Sequence, residues 1–174
     1  MNYILSNAHN IDSLIQELQT KLYNHLVNKW STTKLDAYGR VYKNEQDGKV
    51  IPQVYDSLTK NYKRVFYNNQ SCFFFVDDDN HPLDDEDHEF TTSIKIVFML
   101  NLDDVKTETE RADADVKRDV IVFLTDNDHH FSVTGYEKGI ENVFRGFDTS
   151  SLQKPDLQPM HVFSVETNWS YTVI

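Results

Sequence analysis

The chain has few residues of the kinds that cross-link or interrupt a polypeptide: its 174 residues include one Cys, four Pro and five Gly. Because Cys72 has no second cysteine to pair with and lies in the apolar run 72–76, we expect a buried, reduced thiol rather than a disulfide. A hydrophobic core must therefore hold the fold together. Hydrophobic residues at 39% and aromatic residues at 13% predict a packed globular domain.

Basic residues are also scarce, since 17 Lys and Arg stand against 28 Asp and Glu and the net charge is −11. This charge disfavours binding to a phosphate backbone, which depends on cations. Two uses of an acidic surface stay open: DNA can slide past it, or the surface can imitate DNA. The N-terminal residues 1–7 carry no cationic side chain, and no window is apolar for the length of a membrane span, so we expect neither secretion nor membrane insertion.

Catalytic signatures are missing as well. The chain has no Gly-x-Ser-x-Gly frame around a nucleophile, and its glycines are too scattered to cradle a phosphate. Burial raises the pKa of a thiol, which makes Cys72 a poor nucleophile. We therefore expect no enzyme, no catalytic residue and no cofactor.

Two segments rich in metal-binding residue types are expected to be solvated turns. Residues 77–89 hold eight acidic residues, but an EF-hand frame from Asp77 puts Pro82 where Gly is required and His88 where a bidentate Glu is required. Residues 126–130 place two His side by side, so that the two rings diverge. We expect no metal site in either segment.

Three stretches predict helices. Apolar residues recur at helical spacing through 11–30, with Asn10 placed as the N-cap. A capping box at 107–110 opens a second helical stripe. A similar pattern at 134–137 predicts a short third helix, which Gly146 ends.

A β-hairpin that projects from the domain is predicted for 38–55. Its arms, 38–43 and 50–55, flank a turn in which Gly48 permits a positive φ. Pro52 cannot donate to a ladder, so we expect its strand to be an edge strand, a bulged strand or one that pairs outside the domain's own sheet.

Further strands follow the hairpin. Residues 62–67 and 71–76 predict one strand or a bulged pair, residues 91–100 a strand, and 161–173 the longest strand of the chain. The last strand either pairs along its length inside the domain or forms an edge that another chain completes. We predict a single α+β domain over 1–174, mostly antiparallel, with two further helices on one face of the sheet.

Aromatic residues concentrate in and just after the hairpin, where they fit either a core or a protein interface. The set comprises Tyr38, Tyr42, Tyr55, Tyr62, Phe66 and Tyr67.

The order of elements resembles that of the tail-terminator and neck-ring proteins of tailed bacteriophages. Residues 37–43, 48–55 and 73–77 are similar to stretches of such proteins in phages of Bacteroidetes, including crAss-like phages. The resemblance implies a virion protein, assembled in the host cytoplasm, that forms a hexameric or dodecameric ring between head and tail. Its partners would be further copies of itself and neighbouring neck, portal-adaptor or tail proteins, and DNA would pass an acidic lumen without specific binding.

Cyclic contacts need two different complementary patches on each subunit. The hairpin 38–55 and the strand 161–173 are the candidates. The candidate interface residues are Tyr38, Arg40, Tyr42, Val54, Tyr55, Phe163, Trp169 and Tyr171. A competing hypothesis is a small acidic inhibitor or DNA mimic that uses the carboxylates of 77–89 to occupy a basic cleft on a host enzyme.

Overall fold

The computed structural model describes residues 1–66, 70–84, 88–106, 111–126, 130–152 and 157–173. The helices within these ranges are α1 (Ile11–Trp30), α2 (Leu102–Val105), α3 (Ala112–Asp126) and α4 (Ile140–Val143). The strands are β1 (Leu35–Arg40), β2 (Tyr42–Gln46), β3 (Lys49–Asp56), β4 (Asn61–Arg64), β5 (Ser71–Asp77), β6 (Leu83–Asp84), β7 (Glu89–Asn101), β8 (Phe131–Lys138) and β9 (Met160–Tyr171). The predicted α+β class is confirmed. No helix among the described residues is long and apolar enough to cross a membrane.

The main sheet has the strand order β1-β5-β7-β9-β8, and β6 pairs with the start of β7. The β1–β5 pair is parallel, and the other pairs are antiparallel. β7 and β9 pair from Phe90–Tyr171 to Asn101–Met160 without interruption. The predicted long C-terminal strand is confirmed as β9, but the expectation that it is the longest is wrong, because β9 has 12 residues and β7 has 13. β9 is not an edge, however, because β7 and β8 occupy its two sides.

Each face of the main sheet buries a hydrophobic core, because side chains alternate along a strand. In β5, Phe73 and Phe75 join the core under α1 and α3, whereas Phe74 joins the second core. The second core contains Val143 and Phe144 from α4 and the turn after it. The expectation that both later helices pack on one face is therefore wrong, because α3 and α4 cover opposite faces.

The amphipathic helix α1 follows the predicted apolar spacing, but its start differs from the prediction. Asn10 makes no side-chain cap, and its backbone has a positive φ of 51°. Its carbonyl instead accepts from the amide of Ser13 at 3.0 Å. Buried Gln19 links the helix to the N-terminal segment, donating to Tyr3 O at 2.7 Å and to Ala37 O at 3.1 Å. This segment covers the outer edge of β1, where the Tyr3 amide donates to Ala37 O at 2.9 Å.

The predicted hairpin is divided between two sheets. Its first arm splits at Val41, so that Tyr38 lies in β1 of the main sheet and Tyr42 starts β2. β2, β3 and β4 form a separate three-stranded sheet, which we call the small sheet. Asp47 and Gly48 form its first turn with φ of 53° and 73°, which matches a two-residue hairpin turn and the expected role of Gly48.

The small sheet contradicts the expectation for Pro52, because β3 is its central strand. The carbonyl of Pro52 accepts from the amide of Val65 at 3.3 Å, just beyond β4. Since the N and C=O of one strand residue point to the same side, the missing N–H of Pro52 costs the β2 ladder no hydrogen bond. The hairpin also projects less than expected, because Ile51 and Val54 of β3 are buried.

Three other expectations meet a different structure. Residues 62–67 and 71–76 contribute to strands of different sheets, and the loop 77–89 contains the short strand β6. Residues 134–137 belong to β8 instead of capping a helix, although α4 does begin at Ile140. The capping box 107–110 lies outside the described residues.

We expect Ser164→Ala to raise the free energy of unfolding by about 1 kcal/mol, because the change removes a buried hydroxyl that has no hydrogen-bond partner among the described residues. Thr167→Val is the matched control on β9. The Thr167 hydroxyl donates to Ile94 O at 2.7 Å and accepts from Trp169 Nε1 at 2.7 Å, so its loss should cost about 1–3 kcal/mol. Urea unfolding measures both variants, and equal destabilisation would contradict this account of β9.

Candidate interaction surface

The small sheet presents one face to the solvent. Residues opposite each other in an antiparallel ladder share a face, so the pairs Tyr42–Gln53, Gln53–Arg64 and Tyr55–Tyr62 place these side chains together. We call this the tyrosine face. By register it comprises Tyr42, Asn44, Gln46, Lys49, Ile51, Gln53, Tyr55, Tyr62 and Arg64. Ile51 is buried, and the other members are exposed or half-buried.

Three exposed tyrosines form the aromatic end of this face. Tyr62 packs edge-to-face with Tyr42 at 5.4 Å between ring centroids and with Tyr55 at 5.3 Å. Tyr42, Tyr55 and Tyr62 are nevertheless 38%, 37% and 45% exposed. Mutual packing restricts their rotamers while large ring areas stay in water, which lowers the entropic cost of binding a partner.

Amide and guanidinium groups continue the tyrosine face. Asn44 Nδ2 donates to Gln53 Oε1 at 2.8 Å, and Arg64 donates to Gln46 Oε1 from Nε at 3.2 Å and from Nη2 at 2.8 Å. The face contains no Asp or Glu. The whole segment 42–64 carries five basic and three acidic residues, in a chain of net charge −11. The tyrosine face thus combines aromatic rings with two basic side chains, Arg64 and Lys49, and Lys49 lies 3.8 Å from the carboxylate of Asp148.

The opposite side of the small sheet joins it to the body. Asp56 accepts from Lys63 Nζ at 2.7 Å, and the hydrogen bond from Lys63 lowers the pKa of Asp56 to about 2. The same ammonium lies 5.1 Å from the ring centroid of Tyr3, which stacks on Tyr38 at 4.8 Å. Because Val54 packs in the second core on this side, the outward orientation of the tyrosine face is set by the fold of a single chain.

A second cluster of charged groups lies where β5 ends. Arg40 donates to Asp12 through Nε at 2.8 Å and Nη2 at 2.9 Å, and to Asp77 Oδ2 through Nη1 at 3.1 Å. Asp77 Oδ1 also accepts from Thr92 Oγ1 at 2.8 Å. His81 joins Asp77 Oδ2 at 2.8 Å through Nε2. The buried Asp77 carboxylate of β5 therefore contacts β1 and β7 directly, and Arg40 connects it to helix α1.

The pKa of Asp77 is held below its ordinary value. Burial of this carboxyl opposes ionisation, but the hydrogen bonds from Thr92 and His81 and the charge of His81 outweigh that effect. The other ring nitrogen of His81, Nδ1, lies 2.7 Å from the hydroxyl of Tyr171. The arrangement ties the loop after β5 to the end of β9.

The same cluster contains the groups among the described residues that could hold a metal ion. Ligand atoms of Asp77, Asp78 and His81 lie within 4.8 Å of one another. The guanidinium of Arg40 already contacts Asp77 Oδ2, and a cation bound there would meet its positive charge at short range. These contacts favour a structural ion pair over a metal site. The other segment considered for metal binding is 126–130, and its residues 127–129 lie outside the described residues.

The structure places two of the eight candidate interface residues, Tyr42 and Tyr55, on the tyrosine face. The predictions for Tyr38, Val54, Phe163 and Trp169 are wrong, because these side chains are at most 6% exposed and pack inside the chain. Phe163 and Trp169 lie in the core under α1 and α3, so neither side chain is accessible to a neighbour. Arg40 serves the ion cluster, and half-buried Tyr171 contacts His81 and stacks on Phe90.

Sequence reasoning missed Arg64 and the amide residues of the tyrosine face. It grouped Tyr62 with its aromatic neighbours, of which Phe66 is buried and Tyr67 lies outside the described residues. The period-two spacing of Tyr62 and Arg64 was the available signal, since alternate residues of a strand share a face.

No protein-family model matches the sequence, and the search of curated proteins found no match to it.

We expect Asp77→Asn to lower the free energy of unfolding at pH 7 by about 3 kcal/mol, because it breaks a buried ion pair. In the wild type, the depressed pKa of Asp77 adds stability that is fully present above the unfolded-state pKa of about 4 and is lost as the pH falls through the folded-state pKa. The wild type should lose this contribution as Asp77 is protonated, between about pH 5 and about pH 2. The variant has no carboxyl at this position, so its free energy of unfolding should fall less over the same range. Urea unfolding across this range measures both effects.

Asp79→Asn is the control for this prediction. Asp79 is an exposed carboxylate paired with Lys43 at 2.6 Å, and its loss should change stability by less than about 1 kcal/mol. If both variants had the same stability and the same acid dependence, Asp77 would not hold the elements together.

Proposed function

We propose that the protein is a structural assembly protein that binds a neighbouring subunit through the tyrosine face. The observation that carries the proposal is the composition of that face. Exposed Tyr and a half-buried Arg on a face without Asp or Glu, in a chain where 28 of 174 residues are acidic, match the composition of energetically important protein interfaces.

Within this function we propose the assembly to be a ring at the head–tail junction of a tailed phage. The element order that resembles tail-terminator and neck proteins supports this assignment. A ring uses heterologous contacts, in which one patch of a subunit meets a different patch of the next. Outside residues 42–64 the chain has 12 basic and 25 acidic residues, so a lumen lined by the rest of the surface would repel passing DNA.

The first test is the particle size of the purified chain. We expect the wild type to form hexameric or dodecameric particles by size exclusion with light scattering, and annular particles by negative-stain microscopy. The double variant Tyr42→Ala, Tyr62→Ala should stay monomeric. Both side chains are more than a third exposed, so the variant should fold with a stability loss of about 1 kcal/mol per site at most.

Val122→Ala is the matched control, because Val122 is 48% exposed but lies on α3, away from the small sheet. This variant should assemble as the wild type does. A wild type that stays monomeric up to high micromolar concentration would contradict the proposal and favour the acidic-inhibitor hypothesis.

A further inference from the structure

The guanidinium of Arg64 on the tyrosine face is oriented so that it can bind an anion. Arg64 has no carboxylate partner among the described residues, in a protein with more acidic than basic side chains. Its hydrogen bonds from Nε and Nη2 to Gln46 Oε1 fix the plane of the guanidinium, and Nη1 makes no hydrogen bond within the described part of the chain. A guanidinium oriented in this way suits a carboxylate or a phosphate oxygen.

The charge of the whole chain selects between these two anions. A nucleic acid carries a phosphate at every nucleotide, and a chain of net charge −11 repels such a polyanion. A short acidic peptide segment presents fewer charges and adds amide groups, which Asn44 and Gln53 can bind. The tyrosines beside Arg64 provide the apolar contact area that a peptide needs.

The protein itself exposes such a segment. Asp78, Asp79 and Asp84 are exposed in residues 78–84, which follow β5 and which we call the acidic segment. Asp79 pairs with Lys43 of β2 at 2.6 Å. Because Lys43 and Tyr42 are adjacent on a strand, their side chains point to opposite faces of the small sheet. The acidic segment thus contacts the side of β2 that faces away from the tyrosine face, and one subunit carries both halves of a head-to-tail contact.

We propose that the acidic segment of one copy binds the tyrosine face of the next, with Arg64 as the carboxylate anchor. This inference rests on the proposed function and names its contact. It replaces strand 161–173 with the acidic segment as the second patch. The contact is heterologous, so it can close into a ring.

Charge reversal tests the contact in the full chain. Arg64→Glu alone, or Asp78→Lys with Asp84→Lys, should weaken self-association at least tenfold by sedimentation velocity, which corresponds to about 1.4 kcal/mol. The chain that combines all three changes should recover to within about threefold of the wild type, because the reversed charges on the two patches then attract each other. Arg118→Glu on α3 is the charge-matched control, and we expect it to leave association unchanged.

Each remaining outcome has a distinct meaning. Additive weakening in the combined chain, with circular dichroism showing all variants folded, would overturn the proposed contact while assembly itself stands. A wild type that does not associate would overturn both the contact and the proposed function. Fluorescent oligothymidine that binds the wild type and not Arg64→Glu would assign the anchor to phosphate and overturn the peptide contact.

Discussion

The continuous pairing of β7 with β9 is the constraint on which the rest of the structure depends. It runs from Phe90–Tyr171 to Asn101–Met160, and β5 and β8 add to its two sides. Alternation along these strands then supplies two cores, one under α1 and α3 and the other under α4 and β3. Because β7 and β9 pair with each other along their length, their backbone hydrogen bonds need no neighbouring chain.

This constraint moves the candidate contact surface away from the long strands. The ion cluster around Asp77 joins α1, β1, β5 and β7 and positions the chain that leads into β2. Packing of Val54 and the Lys63–Asp56 pair then set which side of the small sheet faces the water. The exposure of Tyr42 and Tyr62 is thus a consequence of how the inner side of the same sheet packs.

Local patterns predicted α1, β7 and β9 well, because helical and period-two spacings of apolar residues depend on burial along one element. They failed where partners decide the structure. The spacing of apolar residues in 161–173 does not distinguish a central strand from an edge strand, since side chains alternate between the two faces in both. The strand that pairs with it, β8, was not predicted, because its residues 134–137 also fit a capping box. The prediction that the strand of Pro52 is not central failed for the same reason. Whether a central strand can contain proline depends on which neighbouring strand the carbonyl and the missing N–H face.

The central claim is that association covers the tyrosine face and leaves the long strands unchanged. Hydrogen–deuterium exchange of the full chain, measured below and above the concentration of self-association, tests it most directly. The account predicts new protection of amides in β2 and β4, with β9 equally protected in both states because β7 and β8 already pair with it. New protection confined to β8 or α3, with the small sheet exchanging as before, would contradict the account.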